Sequence, residues 1–181
     1  MRPQKLITIG IRAAILTIVI SSLIYFSYYF TSYNFIVYFE YIFIFLASAA
    51  SFIIVLRILN QVKKHKRNRT PLILTCVFIL VSGIIALVYF RYLTNLLDTM
   101  RINFINESPY ALTDIKITGC QKKHIDSISP KGSQVVWIKV TRDCAINVSY
   151  NENGIAKNEM VSAYVTTSMG QKLSFRIGDN K

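Results

Sequence analysis

Long apolar stretches dominate the first half of the chain. Between Ala13 and Leu56, forty-four residues hold a single charged side chain, Glu40. The hydrocarbon layer of a bilayer is about 30 Å thick, and an α-helix crosses it with roughly 20 apolar residues. A polar break at residues 31–34 divides this stretch, and a third apolar run follows a basic loop. The pattern predicts three transmembrane helices within residues 1–100, over about 6–30, 35–59 and 72–90, the third extending to about residue 100.

The second half has the period of β-strands. Ile115 and Ile117 alternate with polar residues, and residues 146–150 and 173–177 repeat the pattern. Turn residues separate these runs, and Asn153-Gly154 is the strongest hairpin signal. Residues 135–140 form a fuller apolar run, which predicts a strand buried on both faces. Residues 101–181 are therefore predicted to form an all-β domain, a small antiparallel sandwich or barrel of about seven strands.

The basic residues predict an orientation. Residues 1–100 hold ten Lys and Arg against two acids, within a chain of net charge +12. Lys and Arg remain on the cytoplasmic side of a membrane. Three crossings place both the basic N-terminus and the basic loop inside, which predicts a multi-pass bacterial inner-membrane protein with a cytoplasmic N-terminus and a periplasmic β domain. We interpret the loop as a topology signal beside the lipid bilayer and not as a nucleic-acid site. Its basic residues are Lys63, Lys64, Lys66, Arg67 and Arg69.

The three cysteines divide between the two parts. Cys76 lies in the third span and is read as a small apolar filler, while Cys120 and Cys144 flank predicted strands of the β domain. Disulfides persist in oxidising compartments such as the periplasm. A bridge between the latter two would close a loop of about 25 residues and contribute about 3 kcal/mol. The alternative is a pair of reduced core cysteines.

Catalytic signatures are missing from the sequence. It holds two histidines, His65 and His124, and none of the common hydrolase, zinc-protease, P-loop or dinucleotide motifs. We read His124 as a solvated strand residue. We therefore expect a protein that is not an enzyme, with no cofactor and no metal site.

Glu40 is the unusual residue of the apolar half. It lies about six residues inside the second span, where a carboxylate is costly unless it is paired or reaches the interface. A structural pair with Arg91, at the end of the third span, is one explanation. Snorkelling towards the interface among outer tyrosines and a role in an ion or proton pathway are the alternatives.

Three aromatic residues of the β domain are candidates for a binding surface: Trp137, Tyr150 and Tyr164. Core packing is the alternative use of Trp137. Because the domain shows no catalytic chemistry of its own, we expect it to work by contact with a protein partner.

In its size, its helical anchor and its exposed β module, the chain resembles small polytopic immunity-type proteins of the bacterial inner membrane. The resemblance implies a periplasmic module that binds and neutralises a toxin. Two other functions remain open. One is an accessory or assembly subunit of an envelope complex, with helix contacts through the small residues 47–51. The other is a membrane-anchored sensor whose β domain binds a ligand in the cytoplasm, which requires the reverse topology. Homo-oligomerisation is left undecided.

Overall fold

Three helices form the first half of the protein. The computed structural model describes residues 3–64 and 69–178. The helices are α1 (Pro3–Thr31), α2 (Phe35–Lys64) and α3 (Arg69–Leu97). The three predicted helices are confirmed, and each is long and apolar enough to cross a membrane. The chain divides into two compact units, Met1–Leu93 and Thr94–Lys181.

The helical unit packs through a narrow core and leaves much of its apolar surface exposed. Its core comprises Leu6, Ala14, Ile58, Leu72 and Ile79, so all three helices contribute. α1 comes close to α3 at a glycine: a Cβ atom added to Gly10 would lie 2.5 Å from the Cγ2 atom of Thr75. Small residues permit this close approach between membrane helices. Large side chains elsewhere face outwards on every helix, as expected where lipid takes the place of water.

Seven strands form the second half, in two sheets. The three-stranded sheet, here called sheet A, has the order β4-β1-β7, and the four-stranded sheet, sheet B, has the order β3-β2-β5-β6. Within the described residues neither sheet closes into a barrel, so the predicted sandwich is the architecture found. The strands are β1 (Thr99–Asn106), β2 (Leu112–Gly119), β3 (Lys123–Ile128), β4 (Ser133–Lys139), β5 (Cys144–Glu152), β6 (Ile155–Val165) and β7 (Lys172–Ile177).

Strand pairing is mostly antiparallel, as predicted, with one parallel pair. β1 pairs with β4 in the antiparallel sense and with β7 in the parallel sense. The hairpin between β5 and β6 has the predicted two-residue turn, in which Asn153 and Gly154 have φ angles of 49° and 80°. Positive φ at both central residues is typical of the type I′ turn that joins twisted strands. The hairpin prediction is confirmed.

The domain core lies between the two sheets. Alternate residues of each strand point inwards, so Ile102 and Phe104 from sheet A meet Ile115, Ile117 and Ile146 from sheet B. All five of these side chains are buried. The period-two pattern of the sequence thus fills one continuous apolar layer.

Two sequence expectations need correction. The third helix was expected to extend to about residue 100, but α3 ends at Leu97 and Met100 lies in β1. Met100 is buried in the β core, where sheet pairing satisfies its backbone. Residues 135–140 were expected to be buried on both faces. Instead β4 is an edge strand, with Val136 and Ile138 in the core and Val135 and Trp137 exposed.

The end of α3 is tied to the β domain by backbone hydrogen bonds. The Gly170 N–H donates to the carbonyl of Leu97, and the Val140 N–H donates to the carbonyl of Asp98. The Ser168 N–H donates to the Asp98 carboxylate at 3.0 Å. A Cβ at Gly170 would lie 2.3 Å from the carbonyl oxygen of Leu96, so only glycine fits there.

Candidate functional site

Glu40 is buried within the helical unit, with 1% of its surface exposed. Its polar neighbour is Ser21 of α1, which faces the carboxyl group without reaching hydrogen-bond geometry. In residues 3–64 and 69–178, no group donates a hydrogen bond to either carboxylate oxygen. The pairing of Arg91 with Glu40 stays a prediction. A buried carboxyl group without a donor is costly, so Glu40 marks a position that packing alone does not explain.

Tyrosines from two helices meet at one end of the bundle. The ring of Tyr25 in α1 lies 5.7 Å from that of Tyr89 and 6.5 Å from that of Tyr92, both in α3. On α2, Tyr41 contacts Phe90 edge to face at 4.9 Å. Tyrosine prefers the headgroup layer of a bilayer, so this cluster fits an interfacial belt at the level where α1 and α3 end.

The basic loop is described only in part. Lys63 is exposed near the end of α2, and Arg69 is exposed at the start of α3. Lys64 is the last residue of α2. Lys66 and Arg67 lie outside the described residues, so the loop as a unit stays a prediction.

The predicted cysteine pair is confirmed. Cys120 follows β2 and Cys144 begins β5, and their sulfurs form a disulfide with the two Cα atoms 5.2 Å apart. β2 and β5 are neighbours in sheet B, which brings the cysteines together. Cys76 is a free cysteine, half-buried in α3.

Trp137 lies on the outer face of sheet A and is 43% exposed. The guanidinium carbon of Arg101 lies 5.9 Å from the centre of its ring. Arg101 stands opposite Trp137 on one side and opposite Lys172 on the other. Opposite residues in neighbouring strands share a face, so one row across the sheet carries an exposed aromatic ring, the exposed Lys172 and, between them, Arg101, which is buried.

Two further rows continue this surface. Val135 is exposed two residues before Trp137, and Arg176 of β7 lies on the same face. We name the outer face formed by Trp137, Val135, Arg101, Lys172 and Arg176 the aromatic-basic face. Sequence reasoning identified only its tryptophan. The alternation of Val135 and Trp137 with Val136 and Ile138 was the available signal, since both sets cannot face one core.

Tyr150 is not a surface residue. It is 2% exposed, and its hydroxyl donates to a carboxylate oxygen of Glu159. Burial raises the pKa of Tyr150 well above its usual value, and the hydrogen bond to Glu159 adds to the shift. The prediction of a binding role at this position is wrong because its side chain points between the sheets.

Glu152 lies near Tyr150 at the same end of the sandwich. Its carboxylate accepts hydrogen bonds from the Lys157 ammonium and the Ser108 hydroxyl. These bonds, the one from Lys157 first, hold the pKa of Glu152 below its usual value. The arrangement closes the end of the core with a charged network rather than with apolar side chains.

Tyr164 is exposed on β6, and its role in binding stays a prediction. Its hydroxyl donates to Asp143 at 3.0 Å, and Thr166 donates to the other oxygen of that carboxylate. Hydrogen bonds from Thr166 and then Tyr164 lower the pKa of Asp143. The ring is therefore held in one position beside the disulfide-linked start of β5.

His124 lies on the outer face of sheet B between two carboxylates. Its Nε2 atom is 3.3 Å from Asp126, and its Nδ1 atom is 3.8 Å from Asp114. All three side chains are substantially exposed. Within the described residues, no group of three or more His, Cys, Asp or Glu side chains could hold a metal ion.

A groove of about 380 Å³ lies along α2 and α3. Small residues from both helices line it, among them Ala47, Ser51, Gly83 and Ala86. A Cβ atom added to Gly83 would have no neighbour within 4 Å. Sequence reasoning noted the small residues of α2 but not those of α3, which only the helix pairing reveals.

Comparisons with known proteins identify no relative. No family model, no curated protein and no solved structure matches the chain.

Proposed function

We propose that this chain is a non-enzymatic protein of the bacterial inner membrane, whose periplasmic β domain is an immunity-type module that binds and neutralises a toxin. The aromatic-basic face is the observation that carries the proposal. It exposes Trp137, a residue type that is enriched at the centres of protein interfaces, and the buried Arg101 lies beside its ring.

Charge favours the periplasmic orientation. The N-terminal segment and the loop before α3 are both basic, and three crossings would put both on the cytoplasmic side. The disulfide between Cys120 and Cys144 supports the same orientation, since such bonds are rare in the bacterial cytoplasm.

Charge also favours an acidic partner. Residues 101–181 hold eleven Lys and Arg against seven acids, a net charge of +4. Two exposed cations, Lys172 and Arg176, share the outer face with Trp137, and the buried Arg101 lies on the same side of the sheet. Charge complementarity accelerates encounter and selects among partners, so we expect the neutralised toxin to expose acidic side chains around an apolar pocket.

A protection assay tests the binding role. Cells that produce a toxin encoded beside the gene of this protein are expected to survive when they express the wild-type chain. Trp137→Ala is expected to abolish survival, whereas Tyr110→Ala, another exposed aromatic residue outside the face, preserves it. Killing of cells that contain membrane-inserted wild-type protein would contradict the proposal.

A labelling experiment tests the orientation separately. Thr118→Cys places a thiol on the exposed surface of sheet B, and Cys76→Ala removes the free thiol. We expect an impermeant maleimide to label this variant in intact spheroplasts. Labelling only after lysis would instead place the β domain in the cytoplasm and favour the ligand sensor.

The groove favours an accessory or assembly subunit as the second candidate. α2 is the least covered helix, with 6% of its apolar window buried against 28% for each of the other two. The lining of small residues beside it would admit a helix of another membrane protein. Gly83→Leu fills the groove, so loss of function in this variant with Trp137→Ala unaffected would support this candidate.

A further inference from the structure

β6 offers a long free edge. Within the described residues this strand, Ile155–Val165, pairs on one side only, with β5, and forms the border of sheet B. Ile155 and Met160 are 63% and 61% exposed. Edge strands present N–H and C=O groups to any further strand, and proteins usually shorten, bend or cover them. This edge is eleven residues long and contains no proline.

The first six residues of β6 are regular. Pairing with β5 runs without interruption from Glu152↔Ile155 to Asn147↔Met160, and register shifts follow only beyond this segment. Lys157 and Glu159 lie opposite Tyr150 and Val148, so they share the inner face of the sheet, and Asn158 lies on the outer face. A regular segment between a hairpin turn and the first register shift is suited to accept one more strand.

We propose that the free edge of β6 pairs with β6 of a second copy of this chain, antiparallel and centred on Asn158. A two-fold axis perpendicular to the sheet keeps each side chain on its own face. Residues that face each other must therefore point to the same side, which requires one residue of β6 to lie opposite its own copy at the axis. Axes through Lys157 or Glu159 would place like charges directly opposite each other, which destabilises a sheet.

An axis through Asn158 gives the opposite result. Lys157 of each copy then lies opposite Glu159 of the other, and Ala156 lies opposite Met160. Opposite charges in facing positions stabilise strand pairs. The regular segment is therefore complementary to itself in this register, and pairing joins two four-stranded sheets into one.

Hydrogen bonds within the chain already position both charged side chains for this pairing. Lys157 donates to Glu152, and Glu159 accepts from Tyr150, so each side chain is held beside the edge. An ammonium group has three donors and a carboxylate about four acceptor positions. Each group keeps capacity for the partner across the axis, and little side-chain freedom is lost on pairing.

Cysteine cross-linking in native membranes tests the pairing on the full chain and requires no toxin, so its outcome is separate from the proposed function. Asn158→Cys is compared with Thr118→Cys, both in the Cys76→Ala background. Both positions are exposed on the outer face of sheet B, but Thr118 belongs to the interior strand β2. Facing residues of paired strands have Cα atoms about 4.5–5.5 Å apart, within disulfide reach. We expect mild oxidation to yield at least about fivefold more disulfide-linked dimer from Asn158→Cys than from the control.

A second cross-link tests the register. Chains with Ala156→Cys and chains with Met160→Cys, each with its own epitope tag, are expressed together. These two positions face each other across the proposed axis, so mixed dimers should form. Ala156 positions of the two copies would be four residues apart along the strand, about 13 Å, so Ala156→Cys alone should yield few dimers.

Three results would overturn the proposal. One is an equal dimer yield from Asn158→Cys and Thr118→Cys. Another is a preference of Ala156→Cys for itself over Met160→Cys, which would exclude this register. The last is capture of a different protein at Asn158→Cys in place of the dimer, which would assign the edge to another occupant.

Discussion

The two halves of the molecule place the same kind of side chain in opposite positions. Phe104 is fully buried between the sheets, whereas Phe45 of α2 is 72% exposed. In the β domain, burial of apolar surface away from water holds the strands together. Lipid is as apolar as the side chains of the helices, so the bundle depends on close packing at small residues such as Gly10. The apolar character of a side chain therefore indicates which solvent surrounds that half of the molecule, and it does not by itself indicate whether the side chain lies in a core.

The sharpest test of this difference applies one substitution to both halves. Phe104→Ala is expected to lower the free energy of unfolding of the β domain by about 3–5 kcal/mol, because it leaves a cavity beside Phe175. Phe45→Ala is expected to change stability by about 0.5 kcal/mol or less. Trp137, the single tryptophan, reports the β domain by its fluorescence in urea, and thiol labelling of Cys76 on heating reports the bundle.

Comparable losses of stability in the two variants would show that burial of large apolar side chains stabilises the helices as it stabilises the β domain.

Removal of the disulfide separates the halves by redox chemistry. Replacement of Cys120 and Cys144 by alanine is expected to lower the free energy of unfolding of the β domain by about 3 kcal/mol, because the unfolded chain regains the freedom of a loop of about 25 residues. The Trp137 transition in urea should move and the Cys76 labelling transition should not. Cys76→Ala is the control for the loss of a cysteine outside the domain, and an unchanged Trp137 transition in the double variant would contradict the estimate.

A pair of glycine substitutions tests close packing in the bundle. Gly10→Leu forces a side chain against Thr75 and is expected to destabilise the bundle by about 1–3 kcal/mol. Gly83→Leu introduces the same side chain into open space and should leave stability unchanged. The measured quantity is the thermal midpoint of the bundle. It is followed by the labelling of Cys76 and not by the fluorescence of Trp137, which reports the β domain. Equal midpoints for the two variants would refute the close approach of α1 and α3.

The smallest effect concerns pH and the β domain alone. Hydrogen bonds from Lys157 and Ser108 depress the folded pKa of Glu152, so their stabilisation is present above the unfolded pKa of about 4.5 and is lost as pH falls through the lowered folded value. Glu152→Gln should flatten the acid dependence of unfolding in that range, with an effect below about 1 kcal/mol near neutral pH. Asp126→Asn, at a fully exposed carboxylate, serves as the control. A steeper acid dependence in Glu152→Gln would reverse the sign assigned here.

The helices could be predicted because their signal is local. A bilayer requires uninterrupted apolar segments that satisfy their own backbone hydrogen bonds. A stretch of forty-four residues with a single charged side chain meets this requirement as membrane-spanning helices. The end of α3 was less accessible to sequence reasoning. Met100 continues the helical spacing of Leu93 and Leu96, yet it packs in the β core, and only the pairing of β1 with β4 determines that outcome.

The β domain could be predicted in its strands but not in their order. Alternation identified β2, β5 and β7, and the Asn153-Gly154 turn identified one hairpin. Which strands lie at the edges depends on contacts between distant segments. The exposure of Trp137 and the burial of Tyr150 both follow from that order, so the sequence could name the aromatic residues without deciding which of them face outwards.

The passage from α3 into β1 joins the last turn of the helix directly to the first strand. Asp98 is the only residue between Leu97 and Thr99, and its backbone and side chain are both occupied by hydrogen bonds. Residues from Thr94 onwards belong to the same compact unit as the strands. Loss of the β structure therefore also releases the hydrogen bonds at Asp98, so hydrogen exchange at the amides of Ser168 and Val140 should report the opening of the whole β domain.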